Sequence, residues 1–173
     1  FYFLAYEHQA SDDILAYTGI DRDGVPGGWM VGPSASDNLF FRMDFNLDAN
    51  NSLMVRLSGD DRETDGLNVG GIMTPEAGFT LEEQDYQLGA ALTTVVSPTH
   101  LNEARLLVGT SKFHQFANSD LSGVDRPGGV FGGNQLHRQL RDEDRIQLLD
   151  NVTLRRGAHT MKFGADVTYS ETR

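Results

Sequence analysis

The stretch DNLFFRMDFNLDANNSLMVRLSGDDR, residues 37–62, holds two runs of alternating apolar and polar residues on either side of a short polar break, DANN. The odd positions of the first run are apolar: Leu39, Phe41, Met43, Phe45 and Leu47. Its even positions are mostly polar and include Arg42 and Asp44. Because successive side chains of a β-strand point to opposite faces, this pattern predicts two strands, 37–47 and 52–62, joined by a tight turn.

The same alternation recurs along the chain and predicts about seven strands. They lie near 1–8, 37–47, 52–62, 85–96, 101–113, 143–155 and 159–171. Tight turns alternate with long predicted loops around 9–36, 63–83 and 114–141. This rhythm is typical of a transmembrane β-barrel, and strands of roughly 9–11 residues suffice to cross a bilayer. The predicted fold is therefore all-β, an antiparallel up-and-down meander that forms a partial transmembrane β-barrel.

The two predicted faces of the strands differ in charge. The residues predicted to face lipid are Leu39, Phe41, Met43, Phe45, Val55, Leu88, Leu106, Phe163 and Val167. The residues predicted to face the lumen are Arg42, Asp44, Arg56, Glu103, Arg105, Lys162 and Asp166. A Lys or Arg facing lipid at mid-membrane would cost about 2–4 kcal/mol, so the uncharged face suits the bilayer. Both signs occur on the other face, so cross-strand ion pairs are expected there.

Two details concern the apolar face. Tyr86 and Tyr169 lie at the loop ends of their strands, where an outer aromatic girdle belongs. Asp150, in contrast, falls by parity among the apolar side chains. A bulge at Leu149, a protonated carboxyl group, or a bond to a neighbouring strand would each accommodate it, although a bulge would misplace Val152.

Composition limits the possible partners. The 173-residue chain carries a formal net charge of −11, which argues against nucleic acid, whose phosphates bind basic surfaces. It has no cysteine, so a disulfide framework and a thiolate metal site are excluded. The chain starts at Phe1 and shows no signal peptide, so we expect it to be a piece of a longer protein.

No set of residues suggests catalysis, so we predict that the chain is not an enzyme and needs no cofactor. The histidines lack the i, i+4 spacing of a helical zinc site, and no nucleophile elbow occurs. Trp29, His114 and His137 are the candidates for ligand contact in the loops. Asp21 and Asp23 in DRDG are weak calcium candidates, because no distal Glu follows at the required spacing. No other metal site is predicted.

Four motifs in order resemble those of TonB-dependent receptors. They are FYFLAYEHQ at 1–9, DFNLDANNSLMVR at 44–56, NEAR at 102–105 and DNVTLRRGAHTMKFGAD at 150–166. Their order is similar to that of the Oar-like branch, whose members carry a carboxypeptidase-regulatory-like domain before the plug. The sequence departs from that pattern in detail, since Asn51 and Ser52 stand where His is common and Ala104 replaces the usual Leu.

The resemblance implies a barrel of about twenty-two strands, of which this chain supplies about seven. The plug domain and the remaining strands lie outside this sequence. It further implies a receptor in the outer membrane of a Gram-negative-type bacterium, which takes up a bulky nutrient. Its partners would be outer-membrane lipid, its own plug, an energy-coupling protein and an unidentified small or oligomeric ligand. Adhesion or protein export as the main role stays open.

Other classes of protein also stay open from the sequence. The main alternative is a soluble or surface-displayed β-sandwich that acts as a binding or adhesion module. A barrel enzyme and a simple porin are the others.

Overall fold

The computed structural model describes residues 1–133 and 138–173. The strands in these residues are Tyr2–Ile20 (β1), Pro26–Asn46 (β2), Asn51–Leu67 (β3), Phe79–Ser97 (β4), His100–Ala117 (β5), Val124–Arg126 (β6), Gly129–Phe131 (β7), Gln139–Arg156 (β8) and His159–Thr172 (β9). A short 3₁₀ turn, Pro75–Ala77, precedes β4. No helix in the described residues is long and apolar enough to span a membrane.

Seven long strands form one antiparallel sheet in the order β1-β2-β3-β4-β5-β8-β9. The short strands β6 and β7 form a separate hairpin within the connection from β5 to β8. The predicted seven-stranded meander is therefore confirmed. In the described residues no second sheet covers either face of the seven strands, and Leu39 and Phe163 are 39% and 59% exposed. A β-sandwich needs two packed sheets, so that alternative is wrong.

Several strands are longer than predicted, and the predicted loop 9–36 is mostly strand. There the hairpin of β1 and β2 continues outward through pairs such as Ala10 with Ala35, and it turns only at residues 21–25. Likewise β3 ends only at Leu67 and β5 at Ala117, inside the other two predicted loops. In a transmembrane barrel both faces of a strand would meet water beyond the bilayer, and backbone pairing can continue there without apolar alternation.

The tight turns lie at the opposite end of the sheet. In the turn from β2 to β3, a carboxylate oxygen of Asp48 accepts hydrogen bonds from the backbone N–H groups of Asn50 and Asn51, at 2.8 and 2.9 Å. The Asn51 side chain donates to the same carboxylate. The bond from the Asn50 amide, followed by those from Asn51, holds the pKa of Asp48 below its ordinary value, because each favours the charged form.

Buried side chains occur only at the outer end of the sheet among the described residues. Phe131 is 5% exposed, Ala77 2% and Thr74 1%. All three belong to the connections that follow β3 and β5, not to the crossing parts of the strands. The sheet itself has no core of its own, as expected for a wall with lipid on one side and a lumen on the other.

Candidate functional site

The ladder register places all nine predicted lipid-facing residues on one face, here called the apolar face. Its central row, read from β2 to β9, is Met43, Val55, Ala90, Leu106, Leu148 and Val167. The next row outward is Phe41, Leu57, Leu88, Val108, Ile146 and Tyr169. Six strands thus align apolar side chains into continuous rows. Such a surface is suited to hydrocarbon.

The opposite face, here called the charged face, carries all seven residues predicted to face the lumen. Arg42 and Asp44 of β2 are 2.8 Å apart, and Arg105 lies 3.5 Å from Glu103 on β5. Lys162 of β9 lies 3.3 Å from the same Glu103, so it reaches over β8. Among these seven residues only that last pair crosses between strands, whereas cross-strand pairing was expected throughout. Residues two apart on one strand also share a face, so oppositely charged residues such as Arg42 and Asp44 can pair within a strand instead of across strands.

Two other members of the charged face do not form ion pairs. The Asp166 carboxylate accepts hydrogen bonds of 2.9 Å from the Gln147 side chain on β8. The Arg56 side chain forms no hydrogen bond or ion pair with any residue that the structure describes. Its guanidinium group is thus a charge on this face that the described part of the chain leaves without a partner.

Tyrosines border the apolar face on its outer side. The Tyr6 hydroxyl donates to Asp37 at 2.6 Å, and the Tyr86 hydroxyl donates to Asp61 at 3.2 Å. In both cases the carboxylate lies one row farther out than the tyrosine. Each ring thus keeps its apolar body beside the apolar rows and its hydroxyl in the polar zone, as interfacial aromatic residues do. The sequence had indicated Tyr86 and missed Tyr6, because Tyr6 lies near the start of the chain on the shortest predicted strand.

Asp150 remains on the apolar face in the structure. The pairing of β8 with β5 and with β9 runs through Asp150 without a shift, so there is no bulge at Leu149. Its carboxylate accepts a hydrogen bond of 2.6 Å from the Asn102 side chain of β5. Of the alternatives open from the sequence, the bond to a neighbouring strand is the one found.

Of the three ligand candidates assigned to loops, the structure describes two, and these lie on different strands. Trp29 lies within β2 and is 68% exposed on the same face as the apolar rows. His114 lies within β5, where its Nε2 is 2.7 Å from Asp142 and its ring meets the Phe116 ring edge-on. The prediction that these two occupy loops is wrong, because the strands run farther out. His137 lies outside the described residues.

One of the two weak calcium candidates, Asp21, has a structural role in the turn from β1 to β2. A carboxylate oxygen of Asp21 accepts hydrogen bonds from the backbone N–H groups of Asp23 and Val25, at 3.0 and 2.8 Å. Such side-chain bonds close a turn without a metal ion. Across residues 1–133 and 138–173, no group of three or more His, Cys, Asp or Glu is arranged to hold a metal.

The outer ends of the strands are joined by a compact cluster, here called the outer cap, formed by residues 17–22, 70–78 and 122–133. At its centre the Phe131 ring lies under two guanidinium groups, with Arg22 at 5.2 Å and Arg126 at 4.7 Å from the ring centroid. Arg22 also lies 3.5 Å from Glu76, and Glu76 accepts a hydrogen bond of 2.9 Å from the Gly132 backbone. Cation–π contacts and an ion pair therefore hold three separate connections together.

Backbone bonds add to the outer cap. The Gly71 carbonyl accepts from the N–H groups of Thr18 and Gly19 at 2.6 and 3.1 Å, and the Gly128 carbonyl accepts from Ile20 at 2.8 Å. The Val130 carbonyl accepts from the Thr74 N–H group at 3.0 Å. Composition cannot reveal such bonds, because any residue except proline can make them. The sequence analysis consequently missed the outer cap.

Comparisons with known proteins agree with this architecture. Among solved structures, the outer membrane transporter YddB from Escherichia coli matches with a TM-score of 0.74 at 13% identity, over 99% of this chain and 23% of the transporter. The chain thus spans less than a quarter of that protein. No curated protein matches. The family model described as an outer membrane beta barrel domain matches residues 30–173. The chain therefore belongs to the outer membrane beta barrel domain family and is a section of barrel wall in the outer membrane.

Proposed function

We propose that the full-length protein is a TonB-dependent receptor, which takes up a bulky nutrient across the outer membrane. This chain would supply part of the barrel wall and three of its outer connections. The likeness in fold to an outer membrane transporter and the order of the four sequence motifs support the proposal. The outer cap is the observation that carries it, because interlocked outer connections suit a gated receptor better than an open pore.

In this proposal the two faces and the outer cap have separate tasks. The apolar face lies against lipid, while the charged face surrounds a plug contributed by another part of the chain. The outer cap and its neighbouring connections present the binding groups, as loops on a rigid scaffold commonly do. An energy-coupling protein displaces the plug and lets the ligand pass inward. These tasks need binding and movement, with no covalent chemistry on the part of this chain.

Uptake in cells tests the proposal. The full-length protein should require detergent for extraction from outer membranes, and its cells should grow on a scarce ligand that they otherwise cannot use. Growth should be lost when the energy-coupling protein is deleted, since transport would then have no driving force. Growth that survives this deletion would instead identify a passive porin. Recovery of the protein in the soluble fraction without detergent would contradict the membrane assignment itself.

A further inference from the structure

The charged face contains a recess of about 510 Å³ that spans β3, β4, β5 and β8. Its lining includes Met54 and Arg56 of β3, Arg105 of β5, and Gln147 and Leu149 of β8. Two residues with small side chains, Gly89 and Ala91, form its floor on β4, between Arg56 on β3 and Arg105 on β5. The lining thus holds two guanidinium groups and no carboxylate.

The cationic charge of the recess is not balanced by the described residues around it. Arg56 is half-buried, has no ion-pair partner, and lies opposite Arg42 in the ladder. Asp44 is held by two hydrogen bonds from Arg42, at 2.9 and 2.8 Å. Glu103 is shared between Arg105 and Lys162. Arg56 is thus a half-buried cation without a counter-charge, and the recess around it offers room for an anion that the described residues do not provide.

The geometry of the recess suits a carboxylate. Arg56 pairs with Gly89 and Arg105 with Ala91, so the two arginines lie two strands apart and two residues apart along the strand direction. Their Cα atoms are therefore about 12 Å apart, a gap that two extended arginine side chains can close around a small group. A guanidinium group matches a carboxylate through two parallel hydrogen bonds. The space above the floor is open, since a Cβ added at Gly89 would meet only the Leu106 carbonyl oxygen, at 3.9 Å.

We propose that the recess between Arg56 and Arg105 binds a carboxylate group inside the barrel. The inference rests on the proposed function, because it takes the charged face to line the transport path. The carboxylate has two possible sources with the same chemistry. It belongs either to a free anionic ligand that travels along the wall or to an acidic side chain from a part of the full-length protein that enters the barrel.

The test uses the full-length protein in lipid nanodiscs, with the melting temperature as readout. Arg56→Gln removes the central charge, and Arg155→Gln removes an exposed charge from the same face outside the recess as a matched control. Tricarballylate is the probe, and its uncharged triamide is the control ligand. Gly89→Glu places a carboxylate directly opposite Arg56 in the ladder, and Gly89→Gln controls for its size.

With a free ligand as the source, tricarballylate but not its triamide raises the melting temperature of the wild type. Arg56→Gln and Gly89→Glu then weaken its affinity about tenfold or more, whereas Gly89→Gln has a smaller effect. With an internal source, tricarballylate has no effect, and Arg56→Gln lowers the ligand-free melting temperature by more than Arg155→Gln does. Arg56→Lys restores part of that loss, because it keeps the charge without the planar fork.

The proposal is overturned if Arg56→Gln and Arg155→Gln have the same ligand-free melting temperature and the same affinity for tricarballylate. That result would leave the proposed receptor function intact wherever the wild-type protein still supports energy-dependent uptake. The opposite combination is also informative. If uptake continues without the energy-coupling protein while tricarballylate still binds and needs Arg56, the carboxylate site is supported and the receptor function is rejected.

Discussion

Replacing Val55 with arginine should strongly destabilise the folded barrel. The apolar alternation of β2 begins at Leu39 and ends at Leu47, one residue beyond the strand. At about 3.3 Å per residue this run covers about 26 Å of chain, or about 20 Å of height at a tilt near 40°. Val55 pairs with Met43 at the middle of that run, so it lies about 10 Å from either edge. Arginine at such a depth costs about 2–4 kcal/mol, which lowers the folding equilibrium constant roughly 30- to 900-fold.

The matched control is Ser58→Arg, three residues along the same strand and on the charged face. Its same-face neighbours along β3 are Arg56 and Asp60, so the added charge has one neighbour of each sign. We expect it to change the free energy of unfolding by less than about 1 kcal/mol. Denaturant titration of the full-length protein in lipid vesicles, followed by heat-modifiable gel migration, measures both variants.

Equal tolerance of arginine at Val55 and Ser58 would refute the assignment of the two faces. A larger loss at Ser58 than at Val55 would reverse it, and the charged face would then have to meet lipid.

Three further perturbations test single features. Asn102→Leu removes the donor to Asp150, and we expect a loss of about 1 kcal/mol in the free energy of unfolding, measured by denaturant titration. Asp48→Ala should destabilise the protein at pH 7, and its deficit relative to wild type should shrink as the pH falls below about 4, in the same titration. Phe131→Ala should loosen the outer cap by about 3 kcal/mol and speed its cleavage in limited proteolysis.

Each of the three has a direct check. Adding Asp150→Leu to Asn102→Leu should recover stability, and a strictly additive double variant would show that the two side chains are not coupled. For Asp48 the sign follows from its lowered pKa, since the folded state binds the proton less readily than the unfolded state. A deficit that is constant with pH would contradict it. Leu121→Ala, 51% exposed, is the control for Phe131 and should leave proteolysis unchanged.

The fold was predictable from the sequence where lipid imposes a pattern. Met43, Val55 and Val167 lie on the uncharged side of their strands, since the side that meets lipid must be apolar, and the ladder brings all three into one row. The same alternation places the charged residues on the opposite face. The partners within each ion pair were harder to predict than the face. Lys162, for example, reaches Glu103 over an intervening strand.

Beyond the bilayer the sequence was a poor guide. The outer parts of β1 and β2 carry no apolar period, so they resembled a loop although their backbones pair continuously. The bond between Asn102 and Asp150 joins residues far apart in the chain, and only the ladder register reveals it. Phe131 had no distinguishing signal, because its two arginine neighbours come from different connections.

The bonds at Gly71 and Gly128 have a consequence for how this protein can diversify. Both carbonyls accept hydrogen bonds from the tip of the first hairpin. The connections after β3 and β5 must therefore each have the length that brings their carbonyl to this tip. An insertion in one of these connections would break its hydrogen bond to the hairpin, and the other connection would lose its contacts with it. Related barrels whose outer connections differ should therefore change these three segments together, as one exchangeable unit, instead of varying them one at a time.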